Sequence, residues 1–105
     1  MISFEDFKKV KMRAGTIESV EPVEGSEKLL KIVVDLGEEK RQVLSGIAKF
    51  YSAEELINKQ VIVVVNLEPR EMMGLESQGM ILAANGETPV LISPIDKVNS
   101  GSEIT

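Results

Sequence analysis

The sequence predicts an all-β fold, a small closed barrel with short helices attached. Three observations predict it: three strand-like runs, a short helix and two more strand-like runs in that order; a first run whose alternation slips; and a high content of β-branched residues between close-set turns.

Each element has its own local signal. Ser3 followed by Asp6 has the form of a helix N-cap with an acidic third position, so a short helix should run to Lys8 or Lys9 with Phe4 and Phe7 on one face. Residues 14–23 favour a strand, but Ile17 and Ser19 take one parity while Thr16, Glu18 and Val20 take the other, which calls for a bulge or bend. Glu24-Gly25-Ser26 is a turn. Beyond it Leu30, Ile32, Val34 and Leu36 alternate with Leu29, Lys31, Val33 and Asp35, the pattern of a long second strand. Leu36-Gly37-Glu38-Glu39 reads as a hairpin loop, and residues 40–45 as the returning third strand. Ser52 with Glu55 is a capping box that opens a helix through Ala53, Glu54, Leu56 and Ile57, closed by Asn58. Residues 60–67 form a continuous β-branched run, as in a strand buried on both faces, ended by Pro69. Residues 68–76 read as irregular, and 78–84 as a fifth strand stopped by the Asn85-Gly86 turn. The apolar run 89–94 lies between prolines and suits an edge. This is the element order of an OB-fold: a five-stranded barrel with a short helix between strands three and four, here with an N-terminal helix and a C-terminal β extension. A β-sandwich is the alternative.

Composition narrows the chemistry. A chain of 105 residues with 43% hydrophobic content can build one core as a single domain without staples. With no cysteine and no histidine, disulfides, thiolate metal sites, imidazole ligands and the usual general base are excluded, and no metal or cofactor is expected. Glu54 and Glu55 are adjacent on a short helix and point apart, so they form no acid–base pair, and no enzymatic role is expected. The longest apolar run, Val61 to Val65, is far short of a membrane span, and the charged start at Glu5 and Asp6 is unlike a signal peptide, so a cytoplasmic protein without membrane attachment is expected. Twelve Lys and Arg against 17 Asp and Glu give a net charge of -5, so affinity for polyanions would need a locally basic face.

Candidate binding residues follow from where such a barrel exposes polar groups. Lys28 at the base of strand two, Lys31 on the face away from Leu30 and Ile32, and Arg41 near Ser45 on strand three occupy the surface on which OB-folds bind polynucleotides. Solvated lysines on the wet side of a hairpin look the same. Lys8, Lys9, Lys11 and Arg13 are the densest basic stretch, suited either to phosphate or to a helix C-terminus. Only Phe4, Phe7, Phe50 and Tyr51 are aromatic, too few for a base-stacking platform. Between Asn66 and Met80, Pro69 and Gly74 fix a loop, while Ser77, Gln78 and the Gly79 backbone offer uncharged donors and acceptors and Met80 a flexible apolar contact. Met72, Met73 and Met80 could equally fill a core or a dimer contact. Val90, Leu91, Ile92 and Ile95 form an apolar patch that would serve a dimer or cover the barrel end.

Five segments, in order along nearly the whole chain, carry a resemblance: Met12-Arg13-Ala14-Gly15-Thr16-Ile17, Glu27-Lys28-Leu29, Arg41-Gln42-Val43-Leu44-Ser45-Gly46, Asn66-Leu67-Glu68-Pro69-Arg70 and Ser77-Gln78-Gly79-Met80-Ile81-Leu82-Ala83. The chain resembles the tRNA-binding domain found at the C-terminus of many methionyl-tRNA synthetases, as a free-standing protein and in cytokine-like synthetase cofactors. The resemblance implies a non-catalytic OB-fold that grips the outer corner of tRNA by shape, with Lys28, Lys31, Arg41, Ser45, Asn66, Arg70, Ser77, Gln78 and Met80 at or beside the RNA. It also implies a homodimer through residues 86–105, with Val90, Leu91, Ile92 and Ile95 at the contact, and a role as the C-terminal domain or the separate small subunit of methionyl-tRNA synthetase, with the catalytic chain as partner where the two are not covalently attached. Where many members carry His-Pro-Asn-Ala, this chain has Val23-Glu24-Gly25-Ser26. A secretion-type chaperone on a similar dimeric barrel is the rival, expected to lack the Ser77-Gln78-Gly79-Met80 segment.

Overall fold

The computed structural model describes residues 1–105. The Ser3 hydroxyl accepts the Asp6 N–H at 3.1 Å and opens α1 (Phe4–Lys8), a single turn that buries none of its side chains. β1 (Met12–Pro22) begins two residues before the expected start at residue 14, and the predicted slip is a bulge between Ile17 and Ser19. That bend lets one strand serve two neighbours. Its first half, Met12 to Thr16, pairs with β4, and its second half, Thr16 to Pro22, pairs with β2. β2 (Leu30–Asp35) and β3 (Lys40–Ser45) form the expected hairpin, with Leu30, Ile32 and Val34 buried and Lys31 turned away from them. At Gly15 the barrel interior leaves no room for a side chain, since a Cβ there would lie 2.2 Å from Val34 Cγ1.

α2 (Ala53–Leu56) is opened by a complete capping box: Ser52 N–H donates to Glu55 Oε1 at 2.9 Å and Glu55 N–H to Ser52 Oγ at 3.2 Å. Leu56 reaches into the core. β4 (Gln60–Val64) buries Val61 to Val64, as a strand packed on both faces should. It ends at Val64 rather than at residue 67, because beyond it Asn66 swings its side chain onto the backbone that follows α1.

The stretch expected to be irregular is an ordered hairpin, which we call the arm: β5 (Arg70–Met72) and β6 (Leu75–Ser77). Both turn residues, Met73 at φ 52° and Gly74 at φ 77°, adopt the left-handed backbone whose twist matches a tight hairpin. The single fifth strand expected over 78–84 is divided. β7 (Met80–Ile81) pairs with β4, whereas β8 (Ala83–Asn85) turns away to pair with β9 (Pro89–Leu91), which ends short of residue 94.

The main sheet has the order β3-β2-β1-β4-β7, and curling around the bent β1 it encloses Ile17, Ile32, Val34, Val43, Val61 and Val63 in an OB-type barrel. The C-terminal residues form a strap along the edge of β1 that β4 leaves free. Gly101 N–H donates to Ala14 O at 2.7 Å, Ala14 N–H to Ser102 O at 2.8 Å and Ile104 N–H to Met12 O at 3.0 Å. The Gln60 side-chain amide holds the strap's start by pairing with both backbone groups of Val98, at 2.7 and 3.0 Å.

Candidate nucleic-acid interface

The candidate residues divide by what their side chains already touch. Lys28 leaves a turn built by Ser26, whose hydroxyl accepts the N–H groups of Lys28 and Leu29 at 3.2 and 3.1 Å. Its ammonium group is exposed and has no acidic partner. Arg70, at the base of the arm, is likewise exposed and unpaired. Lys31 is half-buried on the outer face, 3.5 Å from Glu21. At the other end of the β2–β3 hairpin Lys40 lies 2.7 Å from Glu18, and this hydrogen bond, with the Glu18 charge, raises the ammonium pKa above its ordinary value. The outer face of β1–β3 is thus partly self-neutralised, through exposed pairs that solvent and salt screen. Ser45 is half-buried opposite Leu30, and Met80 stays 47% exposed at the end of β4.

Three other candidates, Arg41, Ser77 and Gln78, hold the barrel closed, and a fourth, Asn66, fixes the segment that leads into it. No strand ladder joins β3 to β7, and side chains bridge the gap. Arg41 donates from Nε to Glu39 and from Nη1 to the backbone oxygens of Val65 and Gln78. Gln78 N–H donates to Gln42 O at 2.8 Å, and Gln42 N–H donates to Gln78 Oε1 at 3.1 Å. Ser77 is buried, at 4% exposure; its hydroxyl accepts the Leu44 N–H at 3.0 Å and donates to Gly79 O at 3.1 Å. Asn66 accepts the Lys11 N–H at 2.9 Å and donates to Lys9 O at 2.6 Å, clamping the exit of α1. Ser77, Gln78, Arg41 and Asn66 therefore shape the rim, and Arg41 keeps its Nη2 donors in reserve.

Sequence reasoning missed Gln42, whose Nε2 also donates to Glu76 O at 2.9 Å; a mid-strand glutamine gives no sign that its partner lies 34 residues away. It also missed a groove of about 620 Å³ beside α1, lined by Phe4, Phe7, Val10 and Ile104 with Arg13 and Arg41. The Phe4 and Phe7 spacing was visible, but nothing in it says that their face stays uncovered. In the C-terminal extension Val90, Ile92 and Ile95 are exposed, Ile95 fully, whereas Leu91 packs against the core and donates its N–H to Tyr51 Oη at 3.2 Å.

Residues 12–103 match the family described as "Putative tRNA binding domain". The chain belongs to this tRNA-binding family. The domain is 51% identical over 105 residues to a methionine–tRNA ligase of Caldanaerobacter subterraneus, covering 99% of this chain and 16% of that protein. It thus spans only a small part of the ligases it matches. Among solved structures, the tRNA-binding domain superimposes with a TM-score of 0.94 on a methionyl-tRNA synthetase-related protein from Pyrococcus horikoshii, at 36% identity over 100% of this chain and 98% of that one. It also superimposes on the chaperone CsaA from Bacillus anthracis, with a TM-score of 0.90 and 30% identity over 100% of this chain and 99% of that one.

Proposed function

We propose that this domain grips the outer corner of folded tRNA by shape, with no chemical step of its own, and so raises the tRNA concentration near a methionyl-tRNA synthetase catalytic chain in the cytoplasm. One observation carries the reading. On a chain of net charge -5, Lys28 and Arg70 are exposed and unpaired on two elements that meet, the β1–β2 turn and the arm, where a Cβ on Gly25 would lie 3.2 Å from Met73 Cε. Two cations on adjoining projections suit phosphates on either side of a bent RNA surface. Lys31 and the free Nη2 donors of Arg41 extend this surface, Ser45 and Met80 supply uncharged contacts, and Asn66, Ser77 and Gln78 fix its shape.

A homodimer belongs to the same proposal. Val90, Ile92 and Ile95 are apolar and uncovered, as are Phe4 and Phe7 of α1, and a second copy seated on them would bring two RNA surfaces into one assembly. The avidity that follows depends on both surfaces reaching one tRNA.

The test is a titration with folded bulk tRNA against single-stranded DNA and double-stranded RNA competitors at two salt concentrations, with light scattering to give the oligomeric state. Selective, salt-weakened binding of folded tRNA is the expected result. The likeness to a chaperone of known structure makes protein holding the second reading. Loss of tRNA selectivity together with retention of an unfolded protein client would put that reading first.

A further inference from the structure

We infer that Gly25 and Met73 form a latch that positions the arm, setting where Arg70 stands relative to Lys28, and that neither residue contacts RNA. The inference rests on the tRNA reading above. It begins with the weakness of the arm. The arm has three residues in each strand and lies outside the five-stranded sheet, and a two-stranded hairpin of this kind is marginal alone in water. Glu71 sits directly opposite Glu76 with no cation paired to either, which loosens the hairpin further.

External support reaches only one strand at the base. Gln42 holds the β6 side through Glu76 O at 2.9 Å and through the Gln78 backbone and side chain at 2.8 and 3.1 Å, and Ser77 takes the Leu44 N–H. The Arg70 side chain has no hydrogen bond or ion pair, so β5 is carried by its pairing with β6. The tip needs a second anchor, and the β1–β2 turn supplies it. Gly25 sits at φ +85°, and the Met73 methyl fills the place beside its missing side chain, 3.2 Å from where a Cβ would stand. A thioether on three rotatable bonds against bare backbone is an adjustable contact, suited to a latch rather than to a rigid joint.

The latch is tested with Met73→Ala, which removes the contact, and Gly25→Asn, which tolerates the left-handed backbone but adds a side chain in the methyl's place. Each should weaken tRNA binding roughly threefold to tenfold, through the added cost of ordering the arm on binding. The salt dependence and melting temperature should stay near wild type, while the amides of residues 70–77 exchange faster. Met73→Leu, which keeps an apolar side chain of similar volume but one bond shorter, should recover part of the lost affinity. Lys28→Ala, run alongside, separates the two levels of the argument. If wild type binds tRNA and Lys28→Ala flattens the salt dependence, but both latch variants bind like wild type, the latch is overturned and the tRNA reading stands. The same holds if Met73→Leu binds as weakly as Met73→Ala. If wild type shows no selective tRNA binding, the reading falls and takes the latch with it.

Discussion

Replacing Ser77 with alanine separates the two roles a rim residue could have. The hydroxyl is buried at 4% exposure and bridges the Leu44 N–H at 3.0 Å and Gly79 O at 3.1 Å, so its removal strands a donor and an acceptor where β3 meets the β6–β7 joint. A buried donor left without a partner costs about 1–3 kcal/mol, and the small hydroxyl void adds little. For a domain of this size each kcal/mol moves the melting temperature by about 4–8 °C, so Ser77→Ala should melt roughly 5–20 °C below wild type. In urea the midpoint should fall while the slope of the transition stays the same, since the surface exposed on unfolding hardly changes. Measured well below the melting temperature, tRNA affinity should stay close to wild type. The opposite pattern, an unchanged urea midpoint with lost tRNA affinity, would show that the Ser77 hydroxyl faces RNA and that closure of the barrel rests on other bonds.

Three further outcomes follow from the geometry. Lys28→Ala and Arg70→Ala should each reduce the slope of log affinity against log salt by about 1, measured by titration across a salt series, with the fold intact by circular dichroism. Gly101→Ala should release the C-terminal strap, since φ is +91° and a Cβ would lie 2.1 Å from Leu36 O; the left-handed backbone alone costs about 1–3 kcal/mol, and the strap amides should exchange faster. Lys40 is held above its ordinary 10.5 first by the Glu18 hydrogen bond, then by the Glu18 charge, with desolvation opposing and Asp35 adding to the rise. A raised folded pKa gives stability that is complete below pH 10.5 and lost as pH rises through the folded value, so the melting-temperature gap between wild type and Lys40→Met should be constant at lower pH and close above it.

The strands that were legible are those whose own residues dictate them. Val61 to Val64 read as buried because four β-branched residues in a row have no wet face, and the bulge in β1 was visible as a slip between Ile17 and Ser19. The arm was illegible for the converse reason. Arg70-Glu71-Met72 and Leu75-Glu76-Ser77 contain no β-branched residue, and the Met73-Gly74 turn lacks the Asn-Gly signature. The break between β7 and β8 cannot be seen locally either, because it lies in which strand each residue meets, β4 for Ile81 and β9 for Ala83. At the site, residue types could be read and partners could not. Arg41 and Ser77 have the chemistry of RNA contacts, yet the partners that bridge the gap, Val65 and Gln78 for Arg41 and Leu44 for Ser77, lie 24 to 37 residues away, and only the meeting of distant strands decides that these groups face protein.

The arm also bears on how a protein of net charge -5 can attract a polyanion at all. Cross-strand partners share a face, so Arg70 lies with Ser77 on the side turned to the barrel, and Glu71 lies with Glu76 on the other. Alternation thus sorts charge within a few ångströms: one side of the same hairpin carries a cation and the other two carboxylates. Such sorting survives only while the register and tilt of the hairpin are fixed, since a one-residue slip would exchange the two faces. At the base that constraint comes from Gln42, Ser77 and Gln78, none of them charged. Were the arm to meet RNA as proposed, Gln42 and Gln78 would fix which sign of charge it presents, so their loss should be felt in selectivity for folded tRNA before it is felt in the salt dependence of binding.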